Sequence, residues 1–468
     1  MKAKLGNFSK SVEKLNDTFI GHERAKMKIL FIGEVGSIHV ARWVNQLNGT
    51  GWDYRVFQPV PSAYGVRSEF LSGRIYLPYD VSKPDAINVE YTLTTKPPSL
   101  IIRAIRKGLR ILGIEPISRT TPNLLVRAIR KGLRILKVLP YIETLVQPET
   151  RHAEFLANLI KQWQPDVIHS LGMFVNWRDN AIVVLRARAI LGENLPCPWV
   201  ISTWGIDLTL YPSLGEKERS EVEAILSACD KLIVEGDRDL PLARELGFQG
   251  ELLAKLPAYG GITWEPQDYC LPGLTSKRHV IILKGRDNTD PVQAGGDPQG
   301  RAMTAIKAFA LCRELLKPYS VVITQATPAV EAAAKALIAT GMDITIYPNS
   351  MSLPYEQWLK LLGSARLLIA VTASDGLPST LIEAMSLGVF PIHSGLDIVR
   401  EWINDGENGL LVPPEDVQAV VQALHIALDN DTLVDRAAGH NLQIIAENLS
   451  DAVVRPRVIE LYKSLKRL

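Results

Sequence analysis

The chain has little of what marks disulfide scaffolds, cysteine metal clusters and membrane spans. Only four of its 468 residues are cysteines, and no two of them form a CxxC pair. Such sparse cysteine argues against a disulfide framework or a metal cluster and fits a reducing cytosol. The sequence has no run of about 18 uncharged apolar residues, so we expect no transmembrane helix.

The N-terminal segment, the net charge and the length narrow the class of protein further. Residues 1–26 lack the apolar stretch of a signal peptide, and we interpret them as an N-terminal extension. A net charge of +2 gives the whole chain no strong attraction for nucleic acid. Because single cores stop growing at about 250–300 residues, the length predicts two domains.

Two strand–turn–helix segments predict the start of two α/β domains. In MKILFIGEVGSIHVARWVNQL, a buried strand at residues 29–32 is followed by Gly36 in a turn and by Ser37, which can cap a helix. In HVIILKGRDN, a buried strand at residues 280–283 is followed by Gly285 and Arg286. Each segment is typical of the first unit of a doubly wound sheet.

Further apolar runs alternate with helical patterns, which predicts parallel sheets with right-handed crossovers. We expect the other buried strands at residues 166–169, 199–203, 231–234, 320–324, 343–347, 366–371 and 389–393, with 231–234 closing the first half. The predicted organisation is a first α/β domain at 27–270, a linker at 266–277, a second α/β domain at 277–450 and a C-terminal helix at 451–468 that can cross back to the first domain.

A duplicated basic segment lies at residues 100–137. RAIRKGLRIL occurs twice there, and the segment holds ten Lys or Arg residues against one acidic residue. As helices, the copies place apolar and basic side chains on opposite faces, which favours contact with an anionic membrane over an ordinary solvated face or a nucleic-acid patch. The predicted membrane contacts are Arg103, Arg106, Lys107, Arg110, Arg127, Arg130, Lys131 and Arg134.

The segment DGLPSTLIEAMSLGVFPI carries two carboxylates, Asp375 and Glu383, with a turn and a helix start between them. Ser379 can cap that helix, whose first N–H groups favour an anion. Glu383, about one turn further on, can accept two hydroxyl hydrogen bonds, as acidic residues do with ribose in other α/β folds.

This pattern resembles the E-x7-E segment of the family-4 retaining glycosyltransferases, also called group 1, which have the GT-B fold. The flanking HSGLDIVREWINDGENGLLVPPEDVQAVVQAL and the stretches TWGIDL and DRDLPLARELGF are similar to family members that build surface polysaccharides such as lipopolysaccharide. The resemblance extends over nearly all of residues 27–468. It implies an α/β GT-B architecture, with two Rossmann-like doubly wound parallel-sheet domains facing a central cleft.

The resemblance also implies roles for individual positions. Glu383 would bind the donor ribose, and Asp375, in place of the usual Glu, would contact hydroxyls of the transferred sugar. Arg286 and Arg301 would neutralise the diphosphate, so that neither a metal nor another cofactor is required. Backbone groups that would approach the sugar and phosphates belong to Gly36, Gly376, Leu377, Pro378 and Ser379.

The acceptor side departs from the family pattern. Relatives often carry a His after the strand that here precedes Trp204, so Asp207 and His169 become the candidates for acceptor contact, with His39 as a further one. Each of these side chains also has a purely structural interpretation in packing or capping.

Three function classes follow. The first is a metal-independent retaining hexosyltransferase that uses a nucleotide-sugar, with UDP favoured, and a glycan or lipid-linked acceptor at the inner face of the cytoplasmic membrane, where the protein would be peripheral. The second is a GT-B epimerase or phosphorylase. The third is a catalytically impaired sugar-nucleotide-binding protein, because a fold alone does not establish activity.

Overall fold

The computed structural model describes residues 26–59, 74–76, 89–90, 148–173, 179–192, 195–204, 206–287, 300–351 and 353–466. The eight arginines and lysines predicted to contact a membrane, from Arg103 to Arg134, lie outside the described residues. Within the described part, two parallel sheets with flanking helices confirm the predicted doubly wound α/β class.

The first sheet has eight strands in the order β4-β3-β2-β1-β5-β6-β7-β8. Its strands are β1 (Lys28–Ile32), β2 (Asp53–Phe57), β3 (Arg74–Tyr76), β4 (Val89–Glu90), β5 (Val167–Leu171), β6 (Trp199–Ser202), β7 (Lys231–Val234) and β8 (Glu251–Lys255). Because β2 and β5 flank β1, the strand order reverses there, and a crevice forms beyond the carboxyl ends of β1 and β5.

The second sheet has six strands in the order β11-β10-β9-β12-β13-β14, all parallel. Its strands are β9 (Val280–Lys284), β10 (Ser320–Ala326), β11 (Ile344–Pro348), β12 (Ala365–Ala370), β13 (Phe390–Ser394) and β14 (Leu410–Val412). The central strand β12 is buried at every position, and its residues are apolar except for Arg366, which donates to the carbonyl oxygens of Ala427 and Leu428. The order reverses at β9 and β12.

The helices cover both faces of each sheet. In the first domain they are α1 (Ile38–Asn45), α2 (Pro148–Trp163), α3 (Asp179–Ile190), α4 (Ile206–Thr209), α5 (Glu216–Ala228) and α6 (Asp239–Glu245). In the second they are α7 (Ala302–Leu311), α8 (Arg313–Leu316), α9 (Pro328–Ile338), α10 (Tyr355–Gly363), α11 (Ser379–Ser386), α12 (Asp397–Arg400), α13 (Val417–Asp429) and α14 (Asp431–Asn448).

The last helix, α15 (Asp451–Leu465), packs against the first domain. Its buried face joins an apolar cluster that also contains residues of β1, α1 and α11. Trp43 of α1 donates a hydrogen bond to the hydroxyl of Tyr462 over 2.8 Å, which ties the helix to the first domain by a polar contact as well. One apolar cluster therefore joins the two domains and the terminal helix.

One expectation about the sheets was wrong, and five strands, β2, β3, β4, β8 and β14, were not predicted. The strand at Lys231–Val234 does not close the first half, because β8 continues the sheet beyond it in parallel register. The two ends of β8 are exposed and its centre is only half buried, and a polar edge strand of this kind lacks the apolar run that marks a central one. The short edge strand β14 was likewise not anticipated.

Candidate active site

The site lies where the carboxyl ends of the central strands of both sheets face each other. The segment that joins β12 to α11 is contacted there by the end of α4 and by the segment between β7 and α6 of the first domain. Thr209 bonds Ser374 through their hydroxyls at 3.2 Å, and Arg238 donates from Nη2 to the carbonyl oxygen of Asp375 over 2.5 Å. The cleft is thus closed over the segment that the sequence singled out.

Asp375 forms an ion pair with Lys284, the last residue of β9, with 3.1 Å between Nζ and Oδ2. The other carboxylate oxygen accepts the backbone N–H of Gly376 at 3.0 Å. Burial by itself raises the pKa of Asp375, but Lys284, with smaller contributions from His393 and Arg286, outweighs it and lowers the pKa below its ordinary value. Asp375 is therefore ionised, with two cations close to it.

His39, near the start of α1, faces the same charges from the first domain. Its ring packs edge-on against Trp204, with 6.0 Å between centroids, and against Tyr259 at 5.9 Å. Burial, with Arg42 adding to it, lowers the pKa of His39 to about 3, while Asp375 acts in the opposite direction. The imidazole is neutral at physiological pH, and within the described structure its Nδ1 is buried without a hydrogen-bond partner.

Glu383 is almost fully buried, and three donors surround its carboxylate. Oε1 accepts from the hydroxyl of Tyr355 at 2.8 Å and from Nη2 of Arg42 at 3.3 Å. Oε2 accepts from Nε1 of Trp358 at 2.8 Å. Burial, and next the Glu383 carboxylate, raise the pKa of Tyr355, so the phenol remains a donor.

Arg42 reaches Glu383 across the domain boundary. Its guanidinium carbon lies 4.4 Å from the ring centroid of Tyr355 and 5.4 Å from that of Trp264. A cation over an aromatic face is favourable by about 0.5–2 kcal/mol, with the larger values where water is excluded. The two rings and the carboxylate therefore hold this guanidinium in one orientation.

The start of α11 differs from the expected one. Pro378 is the N-cap residue, and Ser379 is already the first helical residue, without a capping hydrogen bond. The cap was assigned to Ser379 because serine is a common N-cap residue, whereas proline is not a preferred one. The backbone N–H of Leu377 donates to Oε2 of Glu235 at 3.2 Å, so a carboxylate of the first domain lies at this turn.

Arg301 lies in a different environment from Arg286. It forms an ion pair with Glu415, and its Nη1 donates to the carbonyl oxygen of Gly300 over 2.9 Å. Lys284, rather than Arg301, is the basic residue in direct contact with Asp375. Lys284 directly precedes Gly285 and Arg286, so its proximity to Arg286 was visible in the sequence, but it follows the predicted strand at 280–283 and no role was predicted for it.

The structure does not bring His169 to the cleft. Its side chain is fully buried in β5, with Nδ1 2.6 Å from the hydroxyl of Tyr462 and Nε2 2.8 Å from Oγ of Ser202. The position at a strand end suggested an exposed imidazole, but helices cover both faces of this sheet, so the side chain points into a core. Burial lowers the pKa of His169 to about 3.

Asp207 and Gly36 organise turns at the cleft. Oδ2 of Asp207 accepts the backbone N–H groups of Met173, at 2.7 Å, and Trp204, at 2.8 Å, and the residue is buried. This carboxylate therefore joins the loops after β5 and β6 and is not directed at an open space. Gly36 lies buried in the turn that precedes α1.

Neither a metal cluster nor a membrane span is found in the part of the chain that the structure describes. No three His, Cys, Asp or Glu side chains among the described residues are grouped as metal ligands. Among the same residues, no helix combines the length and the apolar character needed to cross a membrane.

Comparison with known proteins agrees with this arrangement. Residues 301–441 match the family described as glycosyl transferases group 1. Two curated relatives are phosphatidyl-myo-inositol mannosyltransferases. The Mycobacterium leprae protein is 33% identical over 85 residues, 18% of this chain and 22% of that protein. The Mycobacterium tuberculosis protein (strain CDC 1551 / Oshkosh) is 34% identical over 100 residues, 20% of this chain and 26% of that protein. The chain thus matches about a quarter of the length of these relatives.

Solved structures extend the likeness to the whole fold. Sucrose-phosphate synthase from Thermosynechococcus elongatus superposes with a TM-score of 0.62 at 15% identity, over 94% of this chain and 99% of that one. HepE from Anabaena, in complex with UDP and glucose, gives 0.58 at 13% identity, over 94% and 100% of the two chains. The predicted GT-B fold and the predicted resemblance to group 1 glycosyltransferases are confirmed.

Proposed function

We propose that this GT-B chain, with its group 1 segment at residues 301–441, is a retaining glycosyltransferase. It moves a hexose from a nucleotide-sugar, with UDP as the favoured nucleotide, to a lipid-linked or cell-surface polysaccharide acceptor. The observation that carries the proposal is the group of charges formed by Lys284, Asp375 and Arg286 in the cleft, directly before the helix that carries the buried Glu383 carboxylate.

The charges of the site suit a leaving diphosphate. Negative charge grows on the diphosphate as the glycosidic bond breaks, and fixed cations in a closed cleft stabilise it without reorganisation. Lys284 and Arg286 supply these cations beside Asp375, and Arg301 remains a third candidate. With cations in place the proposed reaction needs neither a metal nor another cofactor. Asp375 binds hydroxyls of the transferred sugar, and Gly36, Gly376, Leu377, Pro378 and Ser379 offer backbone groups.

Retention of the anomeric configuration is proposed to follow a front-face attack. In that reaction the acceptor oxygen bonds to the anomeric carbon on the face from which the diphosphate leaves. The acceptor proton passes to the departing phosphate oxygen, so no enzymic nucleophile is required. His39 is the favoured acceptor contact, because it lies near Asp375 and Arg286 while Asp207 and His169 are engaged in turns and core.

The comparisons support the proposed donor and acceptor. Solved neighbours with this fold were obtained with UDP and with UDP-glucose, which supports a UDP-sugar donor. The curated relatives act on phosphatidyl-myo-inositol according to their names, which supports a lipid-linked acceptor.

The acceptor class supports a location on the inner face of the cell membrane. There the basic repeat at residues 100–137 would contact anionic lipid. Flotation with liposomes tests this part: more protein should rise with anionic than with neutral vesicles, and equal recovery would count against membrane contact.

A donor screen tests the reaction itself. UDP-glucose, UDP-GlcNAc, UDP-galactose and GDP-mannose are incubated with the protein, with and without a lipid extract, and released nucleotide is measured. We expect release from one donor, accelerated by acceptor, and loss of donor binding in Glu383→Ala. Donor binding without turnover under every condition would favour the non-catalytic sugar-nucleotide-binding protein instead. Unchanged donor binding in Glu383→Ala would contradict the site.

A further inference from the structure

The Nη1 group of Arg42 forms no hydrogen bond within the described structure. Nη2 is bonded to Glu383 and the guanidinium lies over the rings of Tyr355 and Trp264, yet Nη1 is buried without a hydrogen-bond partner among the described residues. The hydroxyl of Tyr259, also buried and likewise without a partner there, lies close enough to Arg42 and Glu383 for their charges to affect its pKa. Two unused polar atoms thus lie beside the Glu383 carboxylate.

Buried polar atoms of this kind destabilise the folded protein unless they form a hydrogen bond. The effect is stronger when the group is charged. The side chain of Arg42 cannot turn away easily, because two rings and a carboxylate hold it. A ligand that supplied an acceptor at Nη1 would remove the cost.

Glu383 offers an unused hydrogen-bond acceptor beside the unused donor of Arg42. Each carboxylate oxygen can accept about two hydrogen bonds. Oε1 already accepts two, from Tyr355 and Arg42, whereas Oε2 accepts one, from Trp358. The carboxylate therefore keeps one acceptor position on Oε2, and the guanidinium bonded to its other oxygen keeps the unused donor Nη1. A hydroxyl, which both donates and accepts, fits this combination of acceptor and donor.

We propose that Arg42 of the first domain and Glu383 of the second together bind the ribose diol of the donor nucleotide. One ribose hydroxyl donates to Oε2 of Glu383, and a ribose oxygen accepts from Nη1 of Arg42. The inference rests on the proposed use of a nucleotide-sugar and adds a ribose contact from the opposite domain. Because the contact crosses the cleft, ribose binding favours the closed arrangement.

Calorimetric titration with UDP and with 2′-deoxy-UDP tests the proposal, because the ratio of their Kd values isolates the ribose contact. If the chain binds GDP instead, GDP and 2′-deoxy-GDP are used. We expect the wild type to favour the ribonucleotide by about tenfold or more, as for a hydrogen bond to a charged group. In Arg42→Met that ratio should fall towards one. Arg42→Lys keeps the charge but lacks the forked donor, so its ratio should fall as well.

The matched control is Arg55→Met. Arg55 also covers an aromatic face, with its guanidinium carbon 4.2 Å from the ring centroid of Trp163, and also forms an ion pair, with Asp53. It lies in β2 of the first domain and does not contact Glu383. Its ratio should equal that of the wild type.

The outcomes separate this inference from the proposed function. If Arg42 served only to join the domains, its replacement would weaken both nucleotides by the same factor and leave the ratio unchanged, which would overturn the inference while the glycosyltransferase assignment stood. If Arg42→Met does not fold, Arg42→Lys decides by the same ratio. A wild type that binds neither UDP nor GDP would overturn the proposed donor and this inference together.

Discussion

Two carboxylates of the site are held in different ways at the residue scale. Asp375 has one cation in direct contact, Lys284, and both side chains are partly open, at 17% and 19% exposure. Glu383 is 7% exposed and is bonded by a cation, a phenol and an indole. The first arrangement leaves charge available to a substrate, and the second fixes one carboxylate in a single orientation.

Replacement of Lys284 by methionine should raise the pKa of Asp375, because burial then acts without its main opposing charge. A carboxyl whose pKa is lowered by folding stabilises the protein above its unfolded pKa and loses that contribution as the pH falls. Lys284→Met should therefore cost about 1–3 kcal/mol at pH 7 and much less at pH 3. Urea unfolding at the two pH values measures the difference.

The matched variant is Lys284→Arg, which keeps the charge and should lose less stability. Nucleotide release should fall in Lys284→Met more than nucleotide binding does, because the leaving diphosphate gains charge in the transition state. Equal loss of unfolding free energy at both pH values would contradict the ion pair as described.

At the scale of elements, the terminal helix α15 is joined to β5 and β6 through a chain of hydrogen bonds. Trp43 donates to Tyr462, so the tyrosine proton is directed at Nδ1 of His169 over 2.6 Å. Nε2 of the imidazole then carries the proton and donates to Oγ of Ser202 over 2.8 Å. The chain of donors assigns one tautomer to the buried imidazole.

Tyr462→Phe should destabilise the protein by about 2–4 kcal/mol, because it leaves Nε1 of Trp43 and Nδ1 of His169 buried without partners. Thermal and urea unfolding measure the loss. The Kd for nucleotide should stay unchanged, because the network lies in the core and not at the cleft. A large increase in that Kd would mean that the network also shapes the nucleotide site, contrary to its place in the core.

The crossing between the first domain and α15 is close enough to require glycine at position 261. A Cβ there would lie 2.7 Å from Cα of Asp451. Ile262 brackets the crossing through two backbone bonds, donating to Leu449 at 2.7 Å and accepting from Asp451 at 2.8 Å. Gly261→Ala should cost about 1–3 kcal/mol, as overpacking does.

Gly439→Ala serves as the control for that variant. It lies within α14 with open space around a Cβ, so the same substitution should stabilise the protein by about 0.5–1 kcal/mol. Urea unfolding of both variants compares them directly. Equal stability of the two variants would contradict the close crossing.

Most of the strands that sequence patterns located are buried on both faces, although β11 is mostly half-buried. Residues 29–32, 280–283 and 367–370 are continuous apolar runs because helices cover both faces of each sheet. The strand β8 was missed because an exposed edge needs no such run. Asp375 and Glu383 were found from their spacing around one turn, a local property of the chain.

The partners of these carboxylates come from distant parts of the chain, which local patterns do not specify. Lys284 precedes Asp375 by 91 residues and Arg42 precedes Glu383 by 341. Only the sheet order brings such pairs together, so Arg301 was chosen for its place after a glycine while Lys284 was overlooked. His169 was misplaced for a related reason, because a strand end does not show which layer covers it.

At the scale of the whole molecule, three buried histidines make stability depend on pH. Burial is the main cause in each case and lowers the pKa of His39 to about 3, of His169 to about 3 and of His393 to about 4. Their unfolded pKa is about 6.5. Below that pH the unfolded chain binds more protons than the folded one, so stability falls as the pH decreases.

Between about pH 6 and pH 4.5 each such histidine contributes up to about 1.4 kcal/mol per pH unit to this slope. His393→Asn should reduce the slope by up to this amount, while its amide can still donate to the carbonyl oxygen of Ser394. Urea unfolding across this range measures the slope. A slope identical to that of the wild type would mean that His393 titrates alike in both states.

A crystal structure of the protein with bound UDP tests the account as a whole most directly. The account predicts the ribose within hydrogen-bond distance of Glu383 and Nη1 of Arg42, and the diphosphate against Lys284 and Arg286, between the two sheets. A nucleotide bound elsewhere, or a diphosphate that contacts neither Lys284 nor Arg286, would contradict it.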